Sequence, residues 1–391
     1  MRRPLLILVA LATVTALAGC TSVLAPEASP VETVAAPETS AATNPASTPM
    51  PTATDLFAVP AADAVARMTV EQRAASVVMG HVPTTDPTAL HDYMASGLGG
   101  FILMGANVPD SPEALRAVTA SLVIDPAVPP LIGIDQEGGE VSRLAWDDNP
   151  AADTLKFAPA ADTRQAFAAR AGLVAASGAN VNFGVVADVP RGESSFIYDR
   201  ALGADTASAA ARVPEAIAGE HGVVLSTVKH YPGHGAAPGD SHHGIPYTDE
   251  SLEQWRAVDA PPFIAGIDAG AELMMVGHLE YASVDAAPAS LSAEWHRIAR
   301  EDLGFTGLMI TDDLGMLLDS GLPEYADPGR NAVLALAAGN DMLLIAAGST
   351  PETARDMVDA IVAAVADGTL PEQRLTDAAE RVMRLRLGLA G

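Results

Sequence analysis

The sequence predicts a single (β/α)8 barrel carried behind an export signal and a tether. Three observations predict it. Eight short apolar runs recur along residues 55–391, most of them continuous rather than alternating, as in parallel strands buried on both faces. Ala-rich segments with helical apolar spacing lie between them, such as 163–179 and 205–222. Polar residues gather at the C-terminal ends of several runs, where a barrel places its active site. A doubly wound sheet also suits the alternation of elements, but no Gly-rich fingerprint follows a first strand.

The chain opens on Arg2 and Arg3, an apolar run from Pro4 to Ala18, and small residues before Cys20. That order reads residues 1–19 as a secretory signal, since the run is short of the roughly 20 apolar residues that span a bilayer. The stretch "LAGC" resembles the bacterial lipobox, which implies cleavage before Cys20 and a lipid on it. Cys20 is the lone cysteine of the chain, so no intramolecular disulfide is expected. Residues 20–54 are rich in Ala, Pro, Thr, Ser, Val and Glu without an apolar period, the composition of a disordered tether. The reading therefore places the protein outside the cytoplasm, held to the membrane by its N-terminal lipid.

The eight strand candidates are 76–80, 99–105, 130–135, 180–189, 223–230, 272–279, 307–314 and 341–346. Asp135, Asp188, Lys229 with His230, His278, and Asp312 with Asp313 end five of these runs. One Asp after a strand is commonly a helix cap. Five strands ending in polar residues point to one shared site at the barrel mouth. The net charge of −27 argues against a nucleic-acid partner, and the chain is expected to act as a monomer.

The densest chemistry lies in "TVKHYPGHGAAPGDSHHGIP", residues 227–246, with four of the nine histidines. His230, His234, Asp240, His242 and His243 are zinc-ligand types. The Gly and Pro content and the absence of HExxH or CxxC spacing favour a mobile loop over a metal cage. No metal or organic cofactor is expected.

Taken in order, "IDQEGGEVSR" (134–143), "VNFGVVADV" (181–189), "YDRALGAD" (198–205), "KHYPGHG" (229–235), "DSH" (240–242) and "TDDLGM" (311–316) resemble glycoside hydrolase family 3. The resemblance is to its β-N-acetylglucosaminidase branch, and "PASLS" (288–292) and "AGNDMLL" (338–344) fit that branch too. It implies a retaining exo-β-N-acetylglucosaminidase without cofactor. Asp312 matches the nucleophile, His242 the acid/base and Asp240 its orienting partner. Lys229, His230, Asp135, Arg143 and Arg200 match substrate-holding positions. Two carboxyl-bearing sides of a sugar are the usual means of retention; here a histidine replaces one of them. Residues i and i+2 of an extended segment share a side, so Asp240 can fix the His242 tautomer. Asp313, one residue deeper, suits a helix cap.

The chain departs from the family at the spacer "PRGESSFIYDRAL", at Glu140 where arginine is common, and at Tyr231 where phenylalanine is usual. Many family members place their acid/base on a second domain; the length left after "TDDLGM" holds no such domain. With the export signal, the branch implies peptidoglycan-derived β-GlcNAc saccharides as substrate. The alternatives are a β-glucosidase, a GlcNAc phosphorylase using the same site, a metalloenzyme, and a non-enzymatic cell-wall sugar-binding lipoprotein.

Overall fold

A computed structural model describes residues 56–390. The expected signal, lipidated Cys20 and tether lie outside the described residues. The eight barrel strands are β1 (Val78–Gly80), β2 (Gly100–Leu103), β3 (Leu131–Ile134) and β4 (Val181–Val186), followed by β5 (Leu225–Tyr231), β6 (Leu273–Val276), β7 (Leu308–Thr311) and β8 (Leu343–Leu344). Each falls within or overlaps an apolar run of the sequence. They pair in parallel in the order β7-β6-β5-β4-β3-β2-β1-β8, and a parallel bridge between Ile310 and Met342 joins the last two strands into a ring. β1, β2, β3, β4, β6, β7 and β8 are buried along their whole length, which is why their sequences do not alternate.

Strand-to-helix turns are written into the sequence. Asp86, Ser111 and Asp327 each precede a proline, and each side chain accepts a backbone N–H three residues on, at 2.9, 3.2 and 3.1 Å. The cap satisfies an orphan donor while the proline starts the helix with φ already set. The helices so begun are Pro87–Met94, Pro112–Ser121 and Pro328–Ala338.

The ring seam between β7 and β8 has little ladder of its own, and Asp341 supplements it. Its buried carboxylate accepts from the Met309 N–H at 3.0 Å and from Arg300, Arg374 and Arg381 at 2.5, 2.8 and 3.0 Å. One carboxylate thus ties the seam to the helical layer through Ile298–Asp302 and Glu372–Leu389. Burial alone would raise its pKa, but the three guanidiniums hold it below the ordinary carboxylate range.

Glu220, the last residue of helix Thr206–Glu220, is the opposite case. Burial pushes its carboxyl up to about 8, and among the described residues it forms no salt bridge; the Asn182 amide donates to it at 2.6 Å. A carboxyl whose folded pKa is raised stabilises the fold fully below its ordinary value, and that stability is lost as pH rises towards 8. Between pH 5 and 8, the wild type should therefore lose melting temperature that a Glu220→Gln variant keeps. Parallel thermal scans of the two proteins across that range check this; parallel curves would refute it.

Candidate active site

The C-terminal ends of β3, β5 and β7 and the segments after them enclose a cavity of about 210 Å3. Asp135, Arg143, Arg200, Lys229, His230, His242 and Asp312 all line it, as do His234 and Ser241. Asp240 stands behind the wall, hydrogen-bonded to His242. A larger groove of about 860 Å3 lies against helices Pro87–Met94 and Pro351–Asp367 and holds none of these residues.

The sugar-holding candidates form one ionic lattice. Lys229, on β5, is 2% exposed, and its Nζ lies 3.0 Å from Asp135 and 2.7 Å from Glu137. Arg143 reaches the other oxygen of Asp135 at 3.2 Å. Arg200 takes Glu137 with both prongs, Nε at 3.0 Å and Nη2 at 2.7 Å, and lies 3.3 Å from His230 Nε2. A bidentate guanidinium is held in orientation as well as place. Burial would raise Asp135, but Lys229 and then Arg143 bring it down to about 2. Lys229 in turn keeps its proton despite burial, because Asp135 and Glu137 face it.

Glu137 is a site residue that reading the strand ends did not single out. It belongs to a short antiparallel ribbon, Gln136–Gly138 with Val141–Ser142, that folds back after β3 and also carries Arg143 to the mouth. Its signal in the sequence was its position two residues after Asp135, on the same side of an extended chain. Asp188, after β4, accepts His230 Nδ1 at 2.7 Å, so the imidazole's other nitrogen faces the cavity side with Arg200.

At the end of β7 the two adjacent aspartates divide their work. Asp313 caps helix Leu314–Asp319 through the Gly315 N–H at 2.8 Å, and takes the Ala346 and Ala347 N–H groups at 2.8 and 2.7 Å. Asp312 accepts only the Asp313 N–H, at 2.8 Å, and lines the cavity. Burial would raise the Asp312 pKa, but His230, His278, the Asp313 N–H and Lys229 together lower it. Lys229 is the smallest of these. Burial also lowers the His278 pKa, so that ring is neutral near pH 7 and its help is limited to acid.

The His-bearing stretch divides into a fixed stem and a tip. Its first part is anchored: Trp255 Nε1 donates to the Pro232 carbonyl at 2.8 Å and Tyr281 Oη to that of Gly233 at 2.7 Å. The hydroxyl of Tyr231 donates to the Trp295 carbonyl at 3.0 Å, a bond that phenylalanine could not make. Gly235 passes so near the segment after β4 that a Cβ there would stand 1.9 Å from the Val189 carbonyl oxygen. The stretch that its Gly and Pro content marks as a mobile loop is thus fixed over residues 232–237, which are buried and tied down. In the tip, Asp240 Oδ1 lies 2.6 Å from His242 Nδ1 and 2.9 Å from the His242 N–H. His243 points outward, its side chain 83% exposed. The histidines of this stretch have separate partners: Asp188 for His230, Ser241 for His234, Asp240 for His242.

Fixed carboxylates, buried cations paired with them and an imidazole on a loop, all at a barrel mouth, suit a carbohydrate-active hydrolase. Within that class the chain belongs to glycoside hydrolase family 3: the glycosyl hydrolase family 3 N-terminal domain matches residues 69–385. A β-hexosaminidase of Chromobacterium violaceum is 35% identical over 296 residues, covering 73% of this chain and 80% of that protein. One from Methylobacillus flagellatus is 32% identical over 270 residues, covering 63% and 73%. Among solved structures, a family 3 β-N-acetylglucosaminidase from Paenibacillus superposes with a TM-score of 0.76 at 28% identity, covering 83% of this chain and 64% of that one. A β-N-acetylhexosaminidase from Beutenbergia cavernae superposes at 0.71 with 29% identity, covering 83% and 99%.

The lattice predicts a non-additive response. Glu137→Gln alone leaves Arg200 beside a neutral amide and Lys229 with Asp135 alone, and Lys229→Met alone takes a shared cation from Asp135 and Glu137, which keep only Arg143 and Arg200. Each should lower the urea stability by roughly 3 kcal/mol. The double variant should lose distinctly less than the sum, since it removes both charges of the pair. Simple additivity in urea denaturation would mean that the two groups do not interact.

Proposed function

We propose that the protein is a retaining exo-β-N-acetylglucosaminidase that removes terminal β-linked GlcNAc through a covalent glycosyl-enzyme intermediate. The observation that carries this reading is an Asp–His pair at 2.6 Å whose imidazole shares a 210 Å3 cavity with the ionised Asp312. The similarity to β-hexosaminidases and β-N-acetylglucosaminidases supports the sugar. The small cavity suits one terminal residue.

In this mechanism Asp312 attacks the anomeric carbon as its bond to the glycosidic oxygen breaks. The protonated His242 gives that oxygen its proton, and the aglycone leaves. The now neutral His242 then takes a proton from water, the water oxygen attacks the anomeric carbon, and Asp312 departs as carboxylate. Two inversions at one carbon give retention. Asp240 accepts from His242 Nδ1, so Nε2 is the nitrogen that exchanges protons with the reacting oxygen. Lys229, His230, Asp135, Arg143 and Arg200 hold the hydroxyls and so fix the anomeric carbon against Asp312.

The proposal extends to place: Cys20 carries a lipid, and the barrel works outside the membrane on GlcNAc joined to a muramic-acid unit in cell-wall fragments. Membrane fractionation of a Cys20→Ser variant tests the anchor, which requires the variant to leave the membrane.

Purified protein should hydrolyse p-nitrophenyl β-GlcNAc in preference to the β-glucoside. Asp312→Asn should abolish turnover, and His242→Ala should lower it by roughly a hundredfold or more. A faster β-glucoside reaction would overturn the sugar assignment. An Asp312→Asn protein that keeps its function unchanged would leave a sugar-binding protein instead.

A further inference from the structure

His234 is singled out by its place in the histidine-rich stretch, yet the mechanism gives it no part. It is 3% exposed and lines the cavity. Its backbone N–H goes to Asp188 at 2.5 Å, and its ring packs against Phe196 and edge-on to His230. Its Nε2 lies 2.9 Å from the Ser241 hydroxyl. Ser241 sits between Asp240 and His242 and is itself 3% exposed, whereas the side chains of its neighbours are 31% and 59% exposed. The tip thus turns its middle residue inward and its proton-carrying pair to either side.

Among the described residues, the His234–Ser241 bond is the only hydrogen bond that joins residues 238–245 to the rest of the protein. The other bonds of the tip are internal: His242 and His243 N–H to Asp240. Apolar contact of the half-buried Ile245 with the barrel core is undirected and fixes no orientation. Below the tip everything is rigid. The Trp255 and Tyr281 bonds hold Pro232 and Gly233, and Tyr247–Thr248 pairs with Glu280–Tyr281 on the far stem.

We infer that His234 and Ser241 are positioning residues: their hydrogen bond latches the tip and so sets where the Asp240–His242 pair stands over the substrate. The inference rests on the assignment of His242 as acid/base. A neutral His234 is required for a soft latch that makes and breaks, and burial keeps its pKa down at about 4. Among the described residues His234 Nδ1 is buried without a hydrogen-bond partner. Its bare lone pair is the cheaper state there, which leaves the proton on Nε2 to donate to Ser241. The Ser241 proton is then free to turn towards a bound sugar, so substrate adds to the latch rather than competing with it.

The test is a kinetic double-mutant cycle on full-length protein. Ser241→Ala should lower kcat/KM about tenfold or more for a β-GlcNAc glycoside with an alkyl leaving group, the loss expected for one directed hydrogen bond. The loss should be much smaller for the dinitrophenyl glycoside, whose aglycone departs without a proton. Ser241→Thr, which keeps the hydroxyl, should recover most of it, as should His234→Gln relative to His234→Ala. In a His242→Ala background, Ser241→Ala should cost nothing further. Equal losses on both leaving groups, or full additivity with His242→Ala, would overturn the latch and leave Ser241 a packing residue. If His242→Ala itself proved harmless, the acid/base assignment would fail instead, so the two failures are told apart.

Discussion

Lys229 lies between two carboxylates at the end of β5, 2% exposed, and the electrostatics of the mouth follow from that ammonium. A charge so deep is tolerated only when it is paired and hydrogen-bonded. Asp135 and Glu137 supply the pairing, and they are themselves held by Arg143 and Arg200. The result is a set of donors and acceptors already frozen before a sugar arrives. In the proposed function, hydroxyl groups entering it would replace water against fixed partners, with no side chain left to order at that moment. The lattice also adds its positive members to those that keep Asp312 ionised. The ionic lattice and the charge state of Asp312 therefore share one support.

The fold was legible in the sequence because its signal is redundant. Eight apolar runs had only to be buried on both faces, and they were. What shrank was their length. The run 341–346 contributes only Leu343 and Leu344 to β8, since Asp341 turns to the arginines and Met342 makes a single bridge. Strand-end chemistry was equally legible: Asp135, Lys229, His230 and Asp312 stand where apolar runs stop. Residues whose place depends on chain reversals were not. Glu137 enters the lattice through a ribbon that doubles back, and Ser241 turns inward only because the tip closes on itself. No spacing rule announces such reversals. Asp312 and Asp313 could be told apart from sequence because a helix cap must sit next to its helix.

The barrel is held at its two ends by different means. At the mouth, charges alternate between strands and loops. At the seam between β7 and β8, one carboxylate serves three arginines and a backbone amide. Asp313 adds a second stitch across that seam by taking two N–H groups beyond β8. The weakest strand pair of the ring is thus the one most heavily reinforced by side chains. Asp312, the chain neighbour of Asp313, is held as well by its own N–H, which donates to the Val276 carbonyl at 2.9 Å.

The flanks of the catalytic tip carry a consequence of another kind. Gly239 and Gly244 stand at either side of it, and nothing lies within 4 Å of where a Cβ on either would be. The stems beyond them are fastened independently of the tip. Lengthening a loop between fixed ends costs only about 0.6 kcal/mol per doubling. Substitutions can therefore accumulate at Gly244 and insertions beside it while the barrel and the stems remain as they are, whereas Gly239, at φ 110°, disfavours any side chain. Descendants of this gene have room to reshape the loop that carries the Asp240–His242 pair without disturbing the ionic lattice beneath it.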